Sequence, residues 1–161
     1  MDMEGERVSL LLGVILTIIL SIGRVIEMKL KITYFESMLL QSLLLVYGTG
    51  LNFFPNNILF SDIEDLLHLM DVDSASFRNT ESRENWEFYR TNPRSQVITI
   101  THELSEKHVY MIKTMCEYCL QRMESNDLWF KEEIRIQTGV SSEQTIATCR
   151  KIASALYTVI T

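Results

Sequence analysis

The sequence predicts an all-α fold: a single domain, residues 1–161, of about seven helices arranged as a compact bundle or a short piece of helical solenoid. Three observations predict it. Apolar residues recur at helical spacing along most of the chain. A Ser or Thr followed three positions later by Glu or Gln marks helix starts at Thr33-Tyr-Phe-Glu36, Ser61-Asp-Ile-Glu64 and Ser141-Ser-Glu-Gln144. Finally, the one β-branched run, Val97-Ile-Thr-Ile100, has no convincing partner run with which to build a sheet, so it is expected to be an extended linker or a first helical turn.

The first element is Val8 to Gly23, sixteen residues without a charge. Ser9, Gly13, Thr17 and Ser21 fall every four residues, which on a helix makes a stripe of small side chains across a Leu/Ile surface. A helix greasy all round is expected to be a buried core helix. A membrane anchor is the alternative, although sixteen helical residues rise only about 24 Å against a hydrocarbon core of about 30 Å. As an anchor it would leave the C-terminal bulk on the side of Arg24, Lys29 and Lys31, the cytoplasm. A signal peptide is a third reading, opposed by Asp2, Glu4 and Glu6 where positive charge is required.

Thr33–Glu36 opens the next helix, with Ile32, Phe35, Leu39, Leu43 and Val46 on one side and Glu36, Ser37 and Gln41 on another. Gly48-Thr-Gly50 stops it, so residues 8–50 form a helical hairpin across the basic Arg24–Lys31 connection. Pro55 and Asn56-Asn57 make a loop, and a short helix from Ser61 follows through Leu66, Leu67 and Met70. Residues 71–95 are polar and charged, with Phe77, Trp86, Phe88 and Tyr89 interspersed; a surface loop with one short helix around Glu81–Arg90 is expected. Ser105 caps the best-patterned helix, whose stripe is Val109, Ile112, Cys116, Cys119, Leu120 and Met123. A shorter helix with Leu128, Trp129, Phe130 and Ile134 runs to Gly139, and the Ser141 helix carries Ile146, Cys149, Ile152, Ala153, Leu156, Val159 and Ile160.

Composition narrows the function. The chain is 47% apolar, 22% charged and 9% aromatic, as expected of a folded domain. Fifteen Lys and Arg against twenty-one Asp and Glu give a net charge of −6, which opposes sequence-independent binding to nucleic acid. Three cysteines are too few for a disulfide scaffold and point to a reducing compartment, cytoplasm or nucleus.

Three constellations bear on chemistry. Cys116-Glu-Tyr-Cys119 is a CxxC that with Cys149 supplies three thiols, one short of a structural zinc set. His108 lies about 12 Å along the same helix, too far to complete it. Both cysteines sit on the apolar stripe, so core packing is expected and no metal or cofactor is assigned. Leu66-Leu-His-Leu-Met-Asp71-Val-Asp73-Ser74 resembles the apolar run and DxD that open haloacid-dehalogenase-type phosphatases, in which the first Asp is the nucleophile at the end of a strand. Here the run belongs to a capped helix, and Asp71 and Asp73 are expected to end it and to solvate a turn. Ile134 to Ala155, with Thr138-Gly-Val-Ser141 as its turn, resembles a helix-turn-helix DNA-binding motif. That resemblance implies that Ser142, Glu143, Gln144 and Thr148 face bases and Arg150 and Lys151 meet phosphates. Arg135 stands where the motif has a small residue, and the second helix runs one residue out of phase. His68, His102 and His108 are each isolated in sequence.

The function expected is therefore a non-enzymatic protein-interaction module, a complex subunit or adaptor, with Trp86, Phe88, Tyr89 and Trp129 as contact residues for a partner protein that has a basic surface. A membrane-anchored helical domain and a helix-turn-helix DNA-binding protein are the alternatives.

Overall fold

A computed structural model describes residues 28–48, 53–55, 57–75 and 92–160, with the side chains of the last helix described through residue 156. Two short extended runs, distant in sequence, meet in it. In β1 (Met28–Thr33) Met28, Leu30 and Ile32 turn inward and Lys29 and Lys31 outward. In β2 (Thr99–Leu104) Ile100, His102 and Leu104 turn inward and Thr101 and Glu103 outward. This period of two is that of a half-buried strand. The strands pair antiparallel, Met28 opposite Leu104 and Thr33 opposite Thr99.

The all-α expectation thus holds in outline, since the described residues are mostly helical, and they add a two-stranded sheet that it did not include. Of the Val97–Ile100 run, Thr99 and Ile100 pair with Thr33 and Ile32 while Val97 lies in a turn, and the first four residues of β1 are ones the sequence assigns to a basic connection. Alternating Lys and apolar residues satisfy a strand as well as a linker, and only the pairing decides between them.

Five α-helices are described, against about seven expected. The other two, Val8–Gly23 and the one around Glu81–Arg90, lie outside the described residues, as do Trp86, Phe88 and Tyr89. Thr33 ends β1 and caps α1 (Tyr34–Leu43): its hydroxyl accepts from Glu36 N–H at 3.1 Å, and the Glu36 carboxylate accepts from Thr33 N–H at 2.8 Å. That is the expected capping box. Past Leu43 the helix widens into a π-helical turn, Leu44–Gly48. Helix α2 (Phe60–Ser74) starts one residue before Ser61, and Asp62 rather than Glu64 reaches back, accepting from Leu59 N–H at 2.8 Å. Ser105 caps α3 (Glu106–Glu124), accepting from His108 N–H at 3.2 Å. Asp127 caps α4 (Leu128–Thr138), which ends on left-handed Gly139 at φ 71°. Ser141 caps α5 (Ser142–Ile160), accepting from Gln144 N–H at 3.2 Å.

Helix α1 is the centre. It touches both strands, α2 and α4, and all ten of its residues are buried. Leu39, Leu40 and Leu43 therefore lie in the same core as Leu66 and Met70 of α2, Met111, Ile112 and Met115 of α3, and Ile134 of α4. Helices α3 and α5 pack along one another and close the other side, with Cys116, Cys119, Cys149 and Ile152 in the core. Among the described residues no helix is long and apolar enough to cross a membrane.

Removing a fully buried leucine side chain leaves a cavity as well as losing transfer free energy. Leu39→Ala is expected to cost about 2–5 kcal/mol in urea unfolding, whereas Leu128→Ala, at an exposed position, stays within about 0.5 kcal/mol of wild type. Equal effects would contradict the enclosure of α1.

Candidate functional site

The side of α1 carrying Glu36, Ser37 and Gln41 is not a solvated face. Glu36 is buried and shares one oxygen between Thr33 N–H and the Lys151 ammonium of α5, 2.9 Å away. Ser37 Oγ lies 2.7 Å from His102 Nε2 of β2. The other ring nitrogen, Nδ1, lies 2.8 Å from Asp73 Oδ2 at the end of α2. A carboxylate can only accept, so Nδ1 carries the ring proton and Nε2 accepts from the Ser37 hydroxyl. Gln41 Nε2 donates to Ser37 Oγ at 3.2 Å and to Ser74 Oγ at 3.4 Å, and Ser74 donates to Met70 C=O at 2.7 Å. His102, expected to stand alone, is the hub of a buried network joining α1, α2 and β2. Asp73 is its outer end rather than a turn-solvating residue. Burial holds the His102 imidazole below its usual pKa, against the opposing pull of Asp73.

This Ser37–His102–Asp73 order has the connectivity of a nucleophile, a base and an orienting acid. Access is another matter. Ser37 and His102 are both 0% exposed, and Ser37 sits in the second turn of a helix enclosed on all sides. A substrate carbonyl has no route to Oγ in this packing. What the arrangement supplies is position: one fixed tautomer, and three elements held to a common point.

The three cysteines form a second buried cluster, between α3 and α5. Cys116 and Cys119, one turn apart, both donate toward the Cys149 sulfur. Those hydrogen bonds, and burial after them, hold the Cys116 and Cys119 thiols up, while the same two donors draw Cys149 down. Among the described residues no group of three or more His, Cys, Asp or Glu is arranged to hold a metal ion.

Helix α4 presents the third feature. Its inner face, Phe130 and Ile134, is fully buried. The Arg122 guanidinium lies 4.8 Å over the Phe130 ring while binding Asp127 through two nitrogens at 2.7 and 3.0 Å. Tyr118 adds an edge-on ring contact to Phe130 at 5.8 Å. The outer face carries Trp129 at 77% exposure, with Leu128 at 74% and Ile136 at 66%. Of the sequence-predicted contact residues, Trp129 is thus on the surface, and the structure does not bring it into the His102 network.

The α4–Gly139–α5 corner has the outline of the helix-turn-helix resemblance. Glu143 and Gln144 are exposed, but Thr148 is buried. Arg150 binds Glu124 at 2.6 Å and Lys151 binds Glu36, so both cations of that resemblance are engaged within the chain. Helical Leu66–Ser74 likewise departs from the strand that the phosphatase resemblance implies. Comparison with protein-family models, curated proteins and solved structures finds no match.

The network carried a signal in sequence: His102 stands at an inward position of Thr-Ile-Thr-His-Glu-Leu, and Ser37 and Gln41 lie one helical turn apart. Ser37→Ala removes the donor to buried Nε2 and is expected to cost about 1–3 kcal/mol in urea unfolding. In the native protein Ser37 is expected to resist acylation by a fluorophosphonate. Stoichiometric labelling of Ser37 in folded protein would make it a reachable nucleophile and contradict the enclosed geometry.

Proposed function

We propose that this chain works as a non-enzymatic interaction module, a complex subunit or adaptor, and that it engages a partner protein with the outer face of α4. The observation that carries this reading is Trp129. A tryptophan buries a large area at low entropic cost when a partner covers it, and tryptophans dominate interface energetics. Here it is more than three-quarters exposed. Ile136 lies seven residues on, two helical turns, and so shares its side of the helix, with Leu128 beside it. The pair formed by Glu132 and Arg135 flanks these apolar side chains, the polar rim expected around an apolar centre.

Rigidity supports the reading further. Phe130, Ile134 and the Arg122–Asp127 clamp fix α4 against the core, so the outer face is preorganised and little order has to be gained on binding. Fifteen of the chain's twenty-one acids fall within residues 61–138, and they favour a partner with a basic surface. The enclosure of Ser37 supports the non-enzymatic part of the reading.

Trp129→Ala is expected to weaken partner capture by about 2 kcal/mol, roughly thirtyfold in Kd, with an unchanged melting temperature. The check is affinity purification with intact wild-type and variant chains as bait, followed by titration of the protein that the wild type retains. Full capture by Trp129→Ala, or parallel loss of fold and binding, would contradict it.

A further inference from the structure

We propose that the Cys116–Cys119–Cys149 cluster is an oxidation site for a small hydroperoxide, at which Cys149 closes a reversible disulfide to α3 and staples α5 to it. The inference is independent of the α4 surface and rests on where three sulfurs meet. Cys116 and Cys119 lie on the inner side of α3 and Cys149 on that of α5, and these two helices pack along one another. All three side chains are buried, none is in a disulfide, and both α3 thiols hydrogen-bond to the Cys149 sulfur. As packing neighbours, thiols offer one another little, since S–H is a weak donor and sulfur a weak acceptor. What three sulfurs in contact do share is redox chemistry.

Helix geometry decides which pairs close. Residues three apart on a helix hold their Cβ atoms about 5–6 Å from each other, whereas a disulfide brings them to about 3.5–4.5 Å. Cys116 and Cys119 stand in the interior of α3, so joining them would distort the helix. Cys149 comes from the facing helix and is not held to that spacing. It is therefore the common member of both remaining pairs, Cys116–Cys149 and Cys119–Cys149.

The chemistry needs one co-reactant. Two donors on its sulfur favour the Cys149 thiolate, the nucleophilic form. The thiolate attacks a peroxide oxygen: the S–O bond forms, the O–O bond breaks, and the leaving oxygen takes up the proton that Cys149 lost. From hydrogen peroxide it departs as water. The sulfur of Cys116 or Cys119 then attacks the sulfenic sulfur. The S–S bond forms, the S–O bond breaks, and the hydroxyl leaves as water with the thiol's proton. Two thiols are oxidised to one disulfide, and one peroxide is reduced to two waters.

Burial selects the oxidant. Hydrogen peroxide is uncharged and only two oxygen atoms long, whereas a disulfide of glutathione size has to bring its own sulfur onto a side chain that is 1% exposed. The paired α3 thiols serve a further purpose: a sulfenic acid on Cys149 has a resolving thiol on contact, and so is diverted before a second oxidation to sulfinic acid. In a reducing compartment such a bond is transient, and a dithiol reopens it by exchange. While closed it joins positions about 30 residues apart, removing that loop's freedom from the unfolded chain, and α4 lies inside the loop.

The test is hydrogen peroxide on the intact, reduced chain, followed by peptide mapping without reductant and by urea unfolding. The chain is expected to lose about 2 Da, the two hydrogens of one disulfide, with Cys149 in every cross-linked pair, and to regain its mass in dithiothreitol. Its urea midpoint is expected to rise on oxidation and to return on reduction. Cys116→Ala and Cys119→Ala each keep a disulfide through the remaining thiol. In the double variant Cys116→Ala/Cys119→Ala, Cys149 is expected to collect oxygen instead. Should the variants fail to fold, the wild-type map and midpoint decide alone. An unchanged mass, a Cys116–Cys119 pair, a cross-link between chains, oxygen adducts without a disulfide, or a midpoint unmoved by oxidation would each overturn the staple.

Discussion

A helix with no wet side leaves its polar side chains to be answered by the rest of the protein, and α1 is such a helix. Ten residues from Tyr34 to Leu43 lie beneath strands and helices, among them a carboxylate, two serine hydroxyls and a carboxamide. An unanswered buried polar group costs on the order of 1–3 kcal/mol, so four of them would erase much of a domain's stability. These four are not left so: Glu36 meets Lys151 and its own cap, Ser37 meets His102, Gln41 meets Ser37 and Ser74, and Ser42 bonds back to Met38. These bonds run to α5, β2 and α2, so satisfying α1 fixes where those elements sit.

The same constraint explains why triad-like connectivity here is a matter of architecture. Low dielectric strengthens a satisfied network and makes a half-satisfied one expensive. A serine, an imidazole and a carboxylate in line fulfil one another's hydrogen bonding with no remainder, whether or not a substrate can reach them. Function is then free to reside on α4, whose inner face is committed to the core and whose outer face leaves Trp129 in water. On the proposed reading, stability and recognition use opposite sides of that helix.

Much of this was legible in the sequence, for local reasons. Caps are written within four residues, so Thr33, Ser105, Ser141 and the stop at Gly139 could be read directly. The stripe Val109, Ile112, Cys116, Cys119, Met123 likewise follows from helical periodicity alone. What escaped is non-local. The sheet joins Met28–Thr33 to Thr99–Leu104, and neither run announces its partner. Ser37, Asp73 and His102 come from three elements, and polar residues on a helix are ordinarily taken for its wet side. The inward His102 could have raised the question of what it bonds, but no spacing in the sequence names Asp73 as the answer.

The enclosure of α1 can be tested amide by amide. A helix sealed on every side exchanges its backbone hydrogens only when the whole domain unfolds, whereas one with a loose side exchanges through local opening. Native-state hydrogen exchange in low concentrations of denaturant separates the two. Amides from Met38 to Leu43 are expected to show an opening free energy equal to that of global unfolding, with the full denaturant dependence. Exchange of those amides several kcal/mol below the global value, and insensitive to denaturant, would show that α1 is not the element on which the fold is hung.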